Sequence, residues 1–174
     1  QASNKKIMTD VMKDGDTWFN SGDLLTRHEN NWLSFADRVG DTYRWKSENV
    51  STMEVAAILN KYPEVLDSNV YGVEVESADG RAGMALMNIS EDFDFEVFSE
   101  HVEKNLNTFQ RPCFIRIAEV MKTTGTFKHQ KEDLKKQGFN PAVIEDKLYF
   151  YQKGRYVEID DSLYQKIQSG EERF

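Results

Sequence analysis

The chain has 174 residues with a formal net charge of −8, and 39% of its residues are hydrophobic. This length suits one ordinary domain, or one domain with part of another, and the apolar content is enough for a buried core. The acidic balance argues against general nucleic-acid binding, because phosphate contacts need clustered Lys and Arg. The one cysteine, Cys113, excludes an intrachain disulfide. A chain that can form no intrachain disulfide is most simply cytoplasmic, and this is our expectation. No apolar run reaches the roughly 18–20 residues of a membrane-spanning helix.

The first part of the chain predicts a short helix followed by a hairpin. Apolar residues with helical spacing predict the helix within residues 1–16. Residues 17–27 and 32–36 then predict two strands joined by a polar turn. Because an isolated hairpin is only marginally stable in water, we expect this one to belong to a larger body.

A short charged stretch divides the predicted elements into two groups. Residues 37–41 place Gly40 among charged side chains and are a candidate linker. We therefore predict two domains. Residues 1–39 form the terminal segment of a larger domain, and residues 40–174 form a compact domain of their own.

The second predicted domain has an α+β fold, a small mixed sheet with flanking helices. A capping-box sequence at residues 51–54 begins a helix that runs to about residue 62. The predicted strands cover residues 67–77, 81–89, 111–120, 147–152 and 155–159, and the other predicted helices cover residues 94–106, 131–137 and 161–168.

The stretch Lys122-Thr123-Thr124-Gly125-Thr126-Phe127-Lys128 is the first candidate for chemistry. Its hydroxyls, free backbone N–H groups and cationic side chains could hold an anion. It is not a Walker phosphate loop, because the Gly-x4-Gly-Lys-Ser/Thr pattern is absent. On composition alone, a solvated turn leading into a basic helix is the simpler interpretation.

Two further candidates lie in the first predicted domain. The Asp23 carboxylate, in Ser21-Gly22-Asp23, could accept hydrogen bonds from two adjacent sugar hydroxyls. Arg38 could donate to a ribose or a phosphate. Read alone, Asp23 is more simply a solvated residue in a bulge and Arg38 a partner in a surface salt bridge. No His, Cys, Asp and Glu spacing predicts a metal site, and we expect the acidic residues 91–94 to cap a helix.

Three of these stretches, in this order, resemble the adenylate-forming enzymes. Residues 18–23 are similar to that superfamily's Tyr/Phe-x-Thr-Gly-Asp motif, and residues 37–41 to its hinge. Residues 46–51 resemble its Lys-Gly-Glu-Asn segment, with Ser47 where a Gly is common, and residues 124–128 resemble its late Thr-x-Ser-Gly-Lys motif. Within that superfamily, the residues of these motifs are most similar to the branch of fatty-acid transport proteins, also called very-long-chain acyl-CoA synthetases.

The resemblance implies a role for each matched position. Asp23 and Arg38 would contact the ribose of ATP or of the acyl-adenylate, and Gly40 would be the hinge. Lys128 would be the catalytic lysine, bridging the substrate carboxylate and the α-phosphate during adenylation. The side that faces CoA in the second half-reaction would be Lys46, Ser47, Glu48 and Asn49.

The resemblance further implies a fatty acyl-CoA synthetase with fatty acid, ATP and CoA as substrates, and Mg²⁺ carried with ATP. The family's early phosphate loop is absent from these residues, so we expect them to need a large N-terminal domain and to be inactive alone. Peripheral membrane association of the full protein stays open. The alternatives are another adenylate-forming ligase, activating an aryl or amino acid, and a non-catalytic interaction module.

Overall fold

The computed structural model describes residues 6–38, 41–118 and 127–174. The chain divides into two compact units, residues 1–41 and residues 42–174. No helix in the described part of the chain is long and apolar enough to cross a membrane.

The first unit contains two antiparallel hairpins in its described residues. The first joins β1 (Ile7–Thr9) to β2 (Thr17–Phe19), and the second joins β3 (Asp23–Arg27) to β4 (Leu33–Arg38). The second is the predicted hairpin, and its polar turn lies where the sequence places it.

The helix predicted within residues 1–16 is wrong, since Ile7–Thr9 is a strand. The Asp16 carboxylate accepts hydrogen bonds from three consecutive backbone N–H groups of residues 11–13, at 2.8, 3.0 and 3.1 Å. Such local bonds from an Asp offer the backbone an alternative to helical hydrogen bonding. They hold the connection as a turn, which returns the chain as β2.

The strand predicted over residues 17–27 is two strands in different hairpins. Gly22 has φ of 80°, a left-handed conformation that interrupts an extended chain. Its backbone N–H donates to the Asn20 side chain at 2.9 Å, which closes the local turn. The Ser-Gly-Asp interruption visible in the sequence is therefore a break between elements.

The second unit is built on a mixed five-stranded sheet, which confirms the predicted fold class. A two-stranded hairpin of β5 (Thr42–Trp45) and β6 (Glu48–Ser51) precedes it. The sheet order is β11-β10-β9-β8-β7, with β8 and β9 parallel and the other neighbours antiparallel. Its strands are β7 (Val65–Val73), β8 (Ala82–Ile89), β9 (Phe114–Ile117), β10 (Lys147–Gln152) and β11 (Arg155–Glu158).

Four helices accompany this sheet in the described residues, and two begin at caps that the sequence predicts. They are α1 (Thr52–Leu59), α2 (Phe95–Asn105), α3 (Phe127–Gln137) and α4 (Asp161–Ser169). The Ser51 hydroxyl accepts from the Glu54 backbone N–H at 3.2 Å, as the capping box requires. Asp94 caps α2 through two backbone N–H groups, which gives one of the acidic residues at 91–94 its expected role.

The core of the second unit is rich in aromatic side chains. Phe98, Phe114 and Phe150 have no exposed surface, and the sheet's Tyr71 is equally buried. Cys113 packs beside this core, and burial raises the pKa of its thiol to about 12. A thiol with so high a pKa carries almost no thiolate at neutral pH, which agrees with a packing role for Cys113.

Candidate functional site

The candidate catalytic lysine, Lys128, lies in the first turn of α3, which begins at Phe127. The sequence predicts a loop up to residue 127 and a helix from residue 131, so the helix starts earlier than predicted. The loop residues 121–126 lie outside the described part of the chain, and only the backbone position of Lys128 is described. A lysine in a first helical turn stands beside backbone N–H groups that lack intrahelical partners, an arrangement suited to an anion.

Described side-chain contacts at Lys131 and Gln137 join helix α3 to other elements of the second unit. The Lys131 ammonium donates to the Thr52 hydroxyl, at the start of α1, over 3.2 Å. Near the other end of α3, Gln137 accepts from Arg116 at 2.5 Å, and Arg116 forms a 2.6 Å ion pair with Asp146. These contacts fix where α3 lies against the sheet and α1.

Sequence reasoning missed these ties because they join residues far apart in the chain. Lys131 and Thr52 are 79 positions apart, and Arg116 and Asp146 are 30 apart. The one local feature of the sequence that could have pointed to the Lys131–Thr52 contact is the Thr immediately after the helix cap Ser51. Thr52 is only 4% exposed, although its hydroxyl is not needed for the cap that Ser51 provides.

The segment predicted to face CoA is the tip of the β5–β6 hairpin. Trp45 pairs with Glu48, which leaves Lys46 and Ser47 as a two-residue turn with φ of 49° and 67°. Positive φ at both central residues is the geometry of a type I′ turn. Residues 46–49 are all exposed, so the hairpin presents these side chains to solvent.

The hairpin is seated on the sheet through Tyr43. The Tyr43 ring is 5% exposed and covers Gly72 and Gly83, which pair across β7 and β8. A Cβ on Gly72 would lie 2.5 Å from the Cβ of Tyr43, and a Cβ on Gly83 would meet the Tyr43 hydroxyl. Two glycines are needed here because the ring approaches the backbone too closely for any side chain.

Two further contacts hold the same strand of the hairpin. The Arg81 backbone N–H donates to the Arg44 carbonyl at 2.8 Å. The Trp45 ring packs edge-on against Phe174, with ring centroids 5.0 Å apart. The exposed tip therefore projects from strand β5, in which Tyr43, Arg44 and Trp45 each contact another part of the second unit.

Asp23 and Arg38 lie directly opposite each other in the β3–β4 hairpin of the first unit. Cross-strand pairing thus brings the backbone positions of the two predicted ribose contacts together, although 15 positions separate them in the sequence. Asp23 is partly exposed, and its backbone N–H donates to the Ser21 hydroxyl at 3.2 Å. The predicted hinge residue, Gly40, lies outside the described residues.

Comparison with known proteins gives relatives over nearly the whole chain. It is 45% identical over 169 residues to long-chain fatty acid transport protein 2 of Rattus norvegicus, covering 95% of this chain and 27% of that protein. It is 43% identical to long-chain fatty acid transport protein 6 of Homo sapiens, covering 95% and 28%. The chain thus spans about a quarter of the length of these relatives. No protein-family model matches it.

Solved structures show which fold this is. O-succinylbenzoate coenzyme A synthetase of Bacillus subtilis, in complex with AMP, superposes with a TM-score of 0.59 at 20% identity. That match covers 68% of this chain and 24% of the synthetase. A fatty acyl CoA synthetase of Mycobacterium tuberculosis gives 0.56 at 20% identity, covering 74% and 26%. The shared fold is that of adenylate-forming enzymes.

Proposed function

This chain is a homologue of the long-chain fatty acid transport proteins with the fold of adenylate-forming enzymes, and from this premise we propose that it serves ATP-dependent fatty acyl-CoA synthesis. In the first half-reaction a fatty acid and ATP give an acyl-adenylate and pyrophosphate. In the second, the thiol of CoA attacks that adenylate and releases AMP. The observation that carries the proposal is the sequence identity of 40–45% to those transport proteins, which extends over 95% or more of this chain.

Lys128 is the residue that we assign to the first half-reaction. Negative charge accumulates on the fatty-acid carboxylate and the α-phosphate as the acyl–phosphate bond forms. An ammonium group between them stabilises that charge more in the transition state than in the ground state. The position of Lys128 in the first turn of α3 supports this role, since the helix dipole also favours an anion there.

The tip of the β5–β6 hairpin is assigned to the second half-reaction. Lys46, Ser47, Glu48 and Asn49 are exposed on a rigid strand pair and are free to line a site completed by another domain. Two half-reactions at one site need different protein groups. Rotation of residues 40–174 about a hinge at Gly40 would bring Lys128 first and the hairpin tip second.

Asp23 and Arg38 are assigned to the ribose of the nucleotide. A carboxylate can accept from two adjacent ribose hydroxyls, and a guanidinium can donate to ribose oxygens. Their opposed positions in β3 and β4 support a shared ligand. Magnesium would accompany ATP, but the described residues hold no group of three or more His, Cys, Asp and Glu side chains suited to a metal, so no step is assigned to it.

Product analysis on the full-length protein tests the proposal. With a long-chain fatty acid, ATP, Mg²⁺ and CoA, it should form acyl-CoA and AMP, whereas residues 1–174 alone should form neither. Aryl acids and amino acids should not replace the fatty acid. Turnover of those acids in its place would favour a different ligase, and no turnover of any acid would favour an interaction module.

A further inference from the structure

Three of the four lysines of helix α3 differ in their described contacts. Lys128 is in the first turn, Lys131 is bonded to Thr52, and Lys135 forms a 3.0 Å ion pair with Glu132 on the same helix. The Lys135 pair joins two residues one turn apart on the same helix, and the Lys135 side chain is 23% exposed. The Lys131 contact crosses from α3 to α1 and reaches a residue that is 4% exposed.

The Thr52 hydroxyl does not cap α1. Ser51 already caps that helix through the Glu54 backbone N–H. The Thr52 side chain nevertheless lies in a buried position, where a hydroxyl needs a hydrogen-bond partner. An ammonium donor gives it one, and a bond to a charged group is stronger than one between neutral groups.

We propose that the Lys131–Thr52 hydrogen bond is a positioning contact for Lys128, an inference that rests on the proposed function. Lys131 is one turn beyond Lys128, about 4.5 Å along the axis at 1.5 Å per residue. Anchoring α3 to α1 at that turn limits tilt and sliding at the catalytic end. The Arg116–Gln137 contact holds α3 nine residues after Lys128, so the Lys131 contact is the nearer of these two to Lys128.

Such a contact matters because adenylation depends on the placement of one ammonium group. A misplacement of about 1 Å at a reacting centre can lower a rate by about 10²-fold. The contact does not touch substrate, so its loss should lower the rate of the adenylation step without weakening binding of ATP or fatty acid. It should also spare thioester formation, which uses the hairpin tip on other elements.

Thr52→Val is the sharpest test, because it keeps the shape of the side chain and removes the hydroxyl that accepts from Lys131. In the full-length protein, Thr52→Val should lower kcat for adenylation, followed by pyrophosphate release, by about tenfold with KM values unchanged. Thioester formation from preformed acyl-adenylate should proceed at the wild-type rate. Thr52→Ser, which retains the hydroxyl, should restore adenylation.

Matched lysine variants separate the contact from general effects of charge. Lys131→Met should lower adenylation at least as much as Thr52→Val does, and Lys135→Met on the same helix should not lower it. Normal adenylation in Thr52→Val, or an equal loss in both half-reactions, would overturn the positioning role. If the wild-type protein forms no acyl-adenylate, the proposed function itself fails. If Lys128→Ala also adenylates normally, the catalytic role of Lys128 fails, whereas a defect in Lys128→Ala alone overturns only the Lys131–Thr52 inference.

Discussion

At the scale of single residues, the hairpin tip carries a backbone conformation that its sequence does not favour. Ser47 has φ of 67°, a region that costs a residue with a Cβ about 1–2 kcal/mol and costs glycine almost nothing. The Lys-Gly-Glu-Asn segment that residues 46–51 resemble has Gly at this position, and the type I′ geometry gives a physical reason for it.

Replacing Ser47 with Gly should therefore stabilise the protein. We expect Ser47→Gly to raise the free energy of unfolding by about 0.5–1 kcal/mol, measured by denaturant titration. Ser68→Gly is the control, because Ser68 lies within β7 without a positive φ and should lose stability instead. A loss of stability in Ser47→Gly would contradict the assigned turn.

At the scale of elements, the docking of the β5–β6 hairpin depends on paired glycines in two neighbouring strands. Gly83→Ala should lower the free energy of unfolding by about 1–3 kcal/mol, because the new Cβ meets the Tyr43 hydroxyl. Adding Tyr43→Phe should recover part of that loss by removing the hydroxyl, while the Tyr43 Cζ, 2.9 Å from the new Cβ, accounts for the loss that remains. The same change should not rescue Gly72→Ala, whose nearest neighbour is the Tyr43 Cβ. Equal rescue at both glycines would show that the ring is seated differently.

Elements with local signals were predictable from the sequence, and those set by long-range or side-chain contacts were not. The capping box at Ser51, the helix after Asp94 and the hairpin of β10 and β11 all lie where residue patterns place them. The predicted helix within residues 1–16 failed because Asp16 holds the backbone in a turn. In the candidate site, motif resemblance predicts roles for Lys128 and residues 46–49, and these stay predictions, but nothing local in the sequence links Lys131 to Thr52.

At the scale of the whole molecule, the two units differ in how much apolar surface they bury. The buried hydrophobic residues of the described part all lie in the second unit, from Tyr43 onward. The first unit leaves large side chains exposed, including Trp18 at 47%, Phe19 at 65% and Trp32 at 74%. Exposed apolar surface of this extent is typical of a docking face, which fits the prediction that these hairpins belong to a larger domain.

The second unit should fold without the first. Residues 42–174 prepared alone should unfold cooperatively, at a melting temperature close to that of the whole chain, because their core is complete. Calorimetry of the two samples makes the comparison. A large fall in melting temperature for residues 42–174 would mean that the first unit contributes to that core.

The central claim is that Lys128 serves adenylation and not thioester formation, and separate rates for the two half-reactions test it most directly. In the full-length protein, Lys128→Ala should slow acyl-adenylate formation by about 10²–10³-fold, as expected when one transition-state donor is removed. Attack of CoA on supplied acyl-adenylate should continue at the wild-type rate. Unchanged adenylation in Lys128→Ala, or an equal loss in both steps, would contradict the account.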